Sequence, residues 1–135
     1  MKIALLGYGR MGKTIAAYAE KRKHEIVFIL DRDYEEGDLS SADVAINFSV
    51  PEAAVSNIKF ALKEKIAVVS GTTGWLENYD QVTSFCKTHK GAFLYGSNFS
   101  IGVNLLFKIN KYIAKIINPY LDNYTTEIEE IHHKH

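Results

Sequence analysis

Residues 2–13 read Lys2-Ile3-Ala4-Leu5-Leu6-Gly7-Tyr8-Gly9-Arg10-Met11-Gly12-Lys13, and this stretch decides the architecture. Ile3 to Leu6 is a short apolar run, as expected of a strand buried on both faces of a parallel sheet. It passes directly into Gly7-Tyr8-Gly9-Arg10-Met11-Gly12, which fits G-x-G-x-x-G. In that pattern Gly7 permits the tight turn off the strand, and Gly9 lets backbone approach a pyrophosphate. Gly12 lets the next helix pack close to the strand. The helix then aims its free first-turn N–H groups and the positive end of its dipole at the phosphates.

A glycine-rich turn of this kind also occurs in other α/β proteins, so the flanking residues decide the matter. Met11, Ile15, Tyr18 and Ala19 recur at helical spacing and end in the charged turn Glu20-Lys21-Arg22-Lys23. A second apolar run, Ile26-Val27-Phe28-Ile29-Leu30, ends at Asp31, 19 residues past Gly12. A carboxylate at the tip of the second strand is what a dinucleotide site needs for the ribose hydroxyls. Strand, glycines, helix, strand and acid follow one another in the required order.

Composition bounds the rest. A chain of 135 residues holds one domain, or one domain plus the beginning of another. With 47% hydrophobic and 24% charged residues it can bury an ordinary core. The formal charge is zero, so no basic field points to nucleic acid or an anionic membrane as partner. Apolar runs are far too short to span a bilayer. The amino terminus reads as a strand rather than a signal peptide, which leads us to expect a cytoplasmic protein. The single cysteine, Cys86, has no internal disulfide partner and no metal-ligand spacing. Beside Phe85 in a predicted helix, it reads as core filler.

Beyond Asp31, residues Arg32 to Asp38 are polar and loop-like. Val44 to Phe48 is a third apolar run, and Pro51 with Glu52 opens a helix whose stripe is Ala54, Val55, Ile58, Ala61 and Leu62. Ile66 to Val69 leads into Ser70-Gly71-Thr72-Thr73-Gly74-Trp75, and a helix follows with Tyr79, Val82, Phe85 and Cys86 on one face. Ala92 to Tyr95 opens into Gly96-Ser97-Asn98-Phe99-Ser100-Ile101-Gly102-Val103-Asn104. A longer helix then carries Leu106, Phe107, Ile109, Ile113, Ile116 and Ile117 until Asn118-Pro119 stops it. Strands that mostly alternate with helices imply an α/β, doubly wound, mostly parallel sheet. Ligands bind such sheets beyond the carboxyl ends of the strands, where the loops Gly7–Gly12, Gly71–Gly74 and Gly96–Asn104 gather. Each of the two later loops can also be read as plain turn chemistry.

The last segment, Tyr124 to His135, is strand-like and then abruptly histidine-rich. Successive strand residues face opposite ways, so His132 and His133 would share one metal ion poorly. A tag remnant or a solvated charged end are the other plain readings. The functional reading makes one histidine a proton donor, kept protonated by Glu129 and Glu130 nearby.

Four segments together resemble the dihydrodipicolinate reductase family: Gly7-Tyr8-Gly9-Arg10-Met11-Gly12, Ser70-Gly71-Thr72-Thr73-Gly74, Ser97-Asn98-Phe99-Ser100-Ile101-Gly102-Val103-Asn104, and Glu130-Ile131-His132-His133-Lys134-His135. They cover the chain in family order, and the last two are more specific than the glycine loop. The resemblance implies a Rossmann NAD(P)-binding domain over residues 1–99, and the start of a second, α+β substrate and tetramerisation domain over 100–135. It implies reduction of 4-hydroxy-tetrahydrodipicolinate, a cyclic imine dicarboxylate, with NADH or NADPH in lysine and diaminopimelate biosynthesis. Gly7 to Gly12 (with Tyr8, Arg10 and Met11) would hold the pyrophosphate and Asp31 the adenosine ribose. Arg32, otherwise a solvated loop cation, matches an arginine able to meet a 2′-phosphate, which implies tolerance of both cofactors. Gly71, Thr72 and Thr73, with Gly96, Ser97, Asn98 and Phe99, match loops lining the nicotinamide. His132 matches the proton donor and His133 a substrate-binding neighbour.

The family pattern continues past this point with a lysine and then Asp-x-Pro-Ser-Gly-Thr, so the natural protein is expected to be longer and a homotetramer. The 135 residues alone are expected to bind cofactor with little turnover. Two rivals are another amino- or hydroxy-acid dehydrogenase on the same fold, and a nucleotide-binding module without catalysis. Consumption of the cyclic imine separates the first from the family reading. An effect of His132→Ala on rate separates the second.

Overall fold

The computed structural model describes residues 1–129 and 131, and it divides into two compact units, Met1–Ser97 and Asn98–His135. In the first unit the chain runs β1 (Lys2–Leu6), α1 (Arg10–Lys21), β2 (Glu25–Asp31), β3 (Tyr34–Gly37), β4 (Val44–Asn47), α2 (Pro51–Lys63), β5 (Ala67–Ser70), α3 (Tyr79–Thr88) and β6 (Phe93–Tyr95). The sheet has six strands in the order β3-β2-β1-β4-β5-β6. All neighbours are parallel except the β2–β3 pair. The doubly wound, mostly parallel α/β sheet expected from the alternation is therefore present.

Alternation along the strands explains why both faces are covered. Ala4 and Leu6 point into the larger core, with Phe28, Ala45 and Val68 of neighbouring strands; α2 supplies Ala54, Ile58, Ala61 and Leu62, and α3 supplies Val82 and Cys86. Ile3 and Leu5 point the other way, where Ile15, Ala16 and Ala19 of α1 close a smaller cluster. Cys86 is thus core, as its setting implied. On α1, the buried stripe differs from the sequence reading at two positions. Met11 and Tyr18 are exposed, at 48% and 59%, whereas Gly12 and Ala19 are buried. The Tyr18 ring lies on the surface under the Lys21 ammonium, 5.3 Å away, so it serves as a platform for a cation and not as a core residue.

The polar stretch after Asp31 is not a loop. Arg32 and Asp33 form a two-residue turn, and β3 folds back antiparallel on β2 with Tyr34 opposite Asp31. Every residue of β3 is exposed, which is why no apolar pattern announced it. Glu35 and Glu36 place charge on this outermost strand, and edge charge discourages pairing with another chain. Tyr34 donates its hydroxyl to Glu36, and that hydrogen bond holds the phenol above its usual pKa.

The second unit is built on α4 (Ile101–Ile117). Asn98 and Ser100 start it by local bonds: Asn98 Oδ1 accepts from the Ser100 amide at 2.8 Å, and the Ser100 hydroxyl accepts from the Val103 amide at 3.4 Å. The strand expected after Tyr124 does not form among the described residues; Tyr124–Glu129 and Ile131 are irregular. Its alternating sequence has no neighbouring strand there to supply a ladder, and an unpaired strand is not stable. His132 and His133 lie outside the described residues.

Candidate cofactor site

Because β1 pairs with β2 on one side and β4 on the other, the chain reverses its winding direction between β1 and β4. Loops leaving the carboxyl ends of these neighbours diverge, and a crevice opens between them. It is present here as a cleft of about 770 Å³. Gly7, Gly9, Arg10 and Met11 line it from the β1–α1 turn, Leu30, Asp31 and Arg32 from the tip of β2, Phe48, Ser49 and Val50 from the loop after β4, and Ala53 and Asn57 from α2.

Two of the three glycines are required by the backbone around them. Gly7 sits at φ +103°, a conformation that L side chains rarely adopt, and its amide donates to Leu30 O at 2.6 Å, tying the end of β1 to β2. A Cβ on Gly12 would collide with the Gly7 carbonyl oxygen, so its absence lets α1 approach the strand. Gly9 is different, since a Cβ there would meet nothing within 4 Å. No neighbour demands glycine at that position, and the residue itself lines the cleft.

Gly9 is also the N-cap of α1, and no side chain bonds the cap or places an acid in the first turn. The first-turn amides of a helix have no carbonyl partner within it, and its dipole adds about half a positive charge there. Arg10 adds a full charge on the same rim. A diphosphate fits this end. Across the cleft, Asp31 is exposed at the tip of β2, its Oδ1 accepting from the Arg32 amide at 3.0 Å. That bond fixes one carboxylate oxygen and leaves the other at the cleft wall.

The other predicted contacts fall as follows. Tyr8 is half-buried and packs beneath the sheet cluster that includes Ile15 and Ile46. Gly71 is confined by Phe48, whose ring stands where a Cβ would be. Thr72 is 5% exposed, and its hydroxyl accepts from the Ser49 amide at 2.9 Å, whereas Thr73 is exposed. Gly96 donates its amide to Ser70 O at 3.1 Å, and Ser97 is exposed. Asn98 and Phe99 belong to the second unit, in the turn that starts α4. Sequence reasoning missed Phe48, Ser49, Val50, Ala53 and Asn57; the only signal was the proline-opened helix following a strand. Among the described residues no cluster of side chains could hold a metal ion, and no helix is long and apolar enough to cross a membrane.

The sequence profile of the family described as "Dihydrodipicolinate reductase, N-terminus" matches residues 1–99. The chain belongs to the dihydrodipicolinate reductase family. A 4-hydroxy-tetrahydrodipicolinate reductase of Christiangramia forsetii is 53% identical, over 98% of this chain and 56% of that protein, so the chain spans about half the length of this curated relative. Among solved structures, an Archaeoglobus fulgidus protein described as a homoserine dehydrogenase aligns with a TM-score of 0.60 at 19% identity, over 70% of this chain and 42% of its own. A hyperthermophilic archaeal homoserine dehydrogenase in complex with NADPH aligns with a TM-score of 0.55 at 17% identity, over 70% and 43%. At such identities these two show a shared fold. Dihydrodipicolinate reductase family membership rests on the profile match, which includes the glycine turn, Asp31 and the Gly71–Gly74 loop.

Proposed function

We propose that this chain is the nucleotide-binding part of a 4-hydroxy-tetrahydrodipicolinate reductase, with residues 1–99 as cofactor domain and 100–135 as the beginning of the substrate and tetramerisation domain. NADH or NADPH supplies the hydride for the cyclic imine dicarboxylate. The observation that carries this reading is the cleft with an uncapped helix end on one wall and the Asp31 carboxylate on another. Together with the family match, that arrangement favours a dinucleotide with its diphosphate at α1 and its adenosine ribose at Asp31. Val50, Ala53 and Asn57 offer the adenine a partly apolar wall. On this reading Gly71, Thr72, Thr73, Gly96, Ser97, Asn98 and Phe99 face the nicotinamide half, His132 delivers the proton that completes reduction, and His133 holds substrate. On this reading the enzyme works in the cytoplasm.

The test pairs cofactor titrations with substrate consumption by a protein of full family length. Oxidation of NADH or NADPH is expected with the cyclic imine, and no reduction of NAD⁺ or NADP⁺ with homoserine; the reverse pattern contradicts the proposal. Asp31 and Arg32 make a further prediction in the same titrations. Asp31→Ala should weaken NADH about tenfold, the loss of charge-assisted bonds to two hydroxyls. It should weaken NADPH less, since a carboxylate repels a 2′-phosphate. Arg32→Ala should weaken NADPH alone. Equal losses for both cofactors in either variant would remove these residues from the ribose site.

A further inference from the structure

Behind the cleft lies a buried polar chain that the cofactor contacts do not explain. Asn47, the last residue of β4, is fully buried and stands opposite Ser70, the fully buried last residue of β5. The Asn47 amide nitrogen donates to the Ser70 hydroxyl at 3.0 Å, and its carbonyl oxygen accepts from the Ser49 hydroxyl at 2.9 Å. Ser49 in turn donates its backbone amide to the Thr72 hydroxyl at 2.9 Å, and the Thr72 carbonyl accepts from the Trp75 indole at 2.7 Å. The backbone adds a further link, with the Gly71 amide on Asn47 O at 2.9 Å. No buried side-chain nitrogen or oxygen among the described residues is left without a partner. A satisfied network in low dielectric is rigid, and an orphaned member is costly.

We propose that Asn47 is a positioning residue that locks the loop after β4 to the loop after β5 and thereby sets the geometry of the nicotinamide end of the cofactor. The proposal rests on the cofactor reading above. Sheet order gives the direction: Asp31 ends β2, and β5 lies three strand spacings away, about 14 Å. A dinucleotide anchored by its adenosine ribose at β2 and its diphosphate at α1 therefore brings its far half towards β4 and β5. Asn47 touches neither the cleft surface nor the solvent, so its influence passes through Ser70, Ser49 and Thr72. The Phe48 ring, pressed against Gly71, adds a steric limit on the same pair of loops.

The experiment compares NADH with ADP-ribose, which carries the same adenosine, diphosphate and ribose but no nicotinamide. Asn47→Leu keeps the branched shape and heavy-atom count and removes both polar contacts. Asn47→Asp retains two acceptors to which the Ser49 and Ser70 hydroxyls can each turn a proton. Asn47→Leu is expected to weaken NADH about tenfold and ADP-ribose less than about threefold, with Asn47→Asp restoring NADH to within about threefold of the unsubstituted chain. If Asn47→Leu does not fold, Ser70→Ala removes the Asn47–Ser70 link alone with less steric change and must show a split in the same direction. Equal losses for the two ligands, no loss for either, or no recovery in Asn47→Asp would overturn the proposal. Failure of the unsubstituted chain to bind ADP-ribose would be a different result, striking at the cofactor reading itself.

Discussion

Replacing Gly7 with valine is expected to destabilise the nucleotide-binding unit by about 2–6 kcal/mol, combining backbone strain of about 1–3 kcal/mol with overpacking of similar size. The backbone there sits at φ +103°, and a Cβ would land on the carbonyl oxygen of Phe48, which is main chain and cannot swing aside. A β-branched side chain makes the conformation worse. Domains of this kind are stable by only about 5–15 kcal/mol, so the variant should lose a large share of its urea midpoint or fail to fold. An unfolding free energy unchanged within about 0.5 kcal/mol would mean that the turn off β1 can be rebuilt without its left-handed residue. Such a result would undercut the reading of the glycine turn at its first position.

Gly9→Ala should behave in the opposite way. Nothing within 4 Å opposes the added methyl, so stability is expected to change by less than about 0.5 kcal/mol. Cofactor affinity is a different matter, because Gly9 lines the cleft at the cap of α1, where the proposed diphosphate would lie. Forcing a methyl into a fitted contact costs about 1–3 kcal/mol, or roughly five- to 150-fold in Kd. The two substitutions therefore separate a glycine required by the fold from one required by the ligand. Calorimetric titration with NADH beside a thermal melt reads both quantities. Unchanged affinity in folded Gly9→Ala protein would place the diphosphate elsewhere.

The contrast between these glycines also shows what the sequence could and could not reveal. The backbone roles of Gly7 and Gly12, and the positions of Gly9 and Asp31 on the cleft, were legible because they depend on local backbone geometry and on fixed spacing along one β-α-β unit. The apolar runs were legible because a sheet covered on both faces leaves continuous hydrophobic strands. Val50, Ala53 and Asn57 were not legible, since their side chains are generic. They reach the cleft because β4 pairs with β1 across the winding reversal, a fact of topology rather than of local pattern. Strand β3 was missed for the reason that makes it useful at the sheet edge: it is acidic and buries nothing. The reading failed in the other direction at Tyr124–Glu129, where alternation was present and a partner strand was not. Thr72 is an intermediate case. Its loop was identified, yet its hydroxyl serves Ser49 inside the network, which no sequence pattern encodes.

The most direct measurement is a map of backbone amide shifts in this chain as NADH is added. The account predicts that the amides of Gly9 to Gly12, Asp31, Arg32, Ser49 and Val50 move together and saturate with one affinity, while those of β3 beyond Tyr34 and of α3 stay still. Shifts centred on any other surface, or none at all at saturating nucleotide, would contradict it.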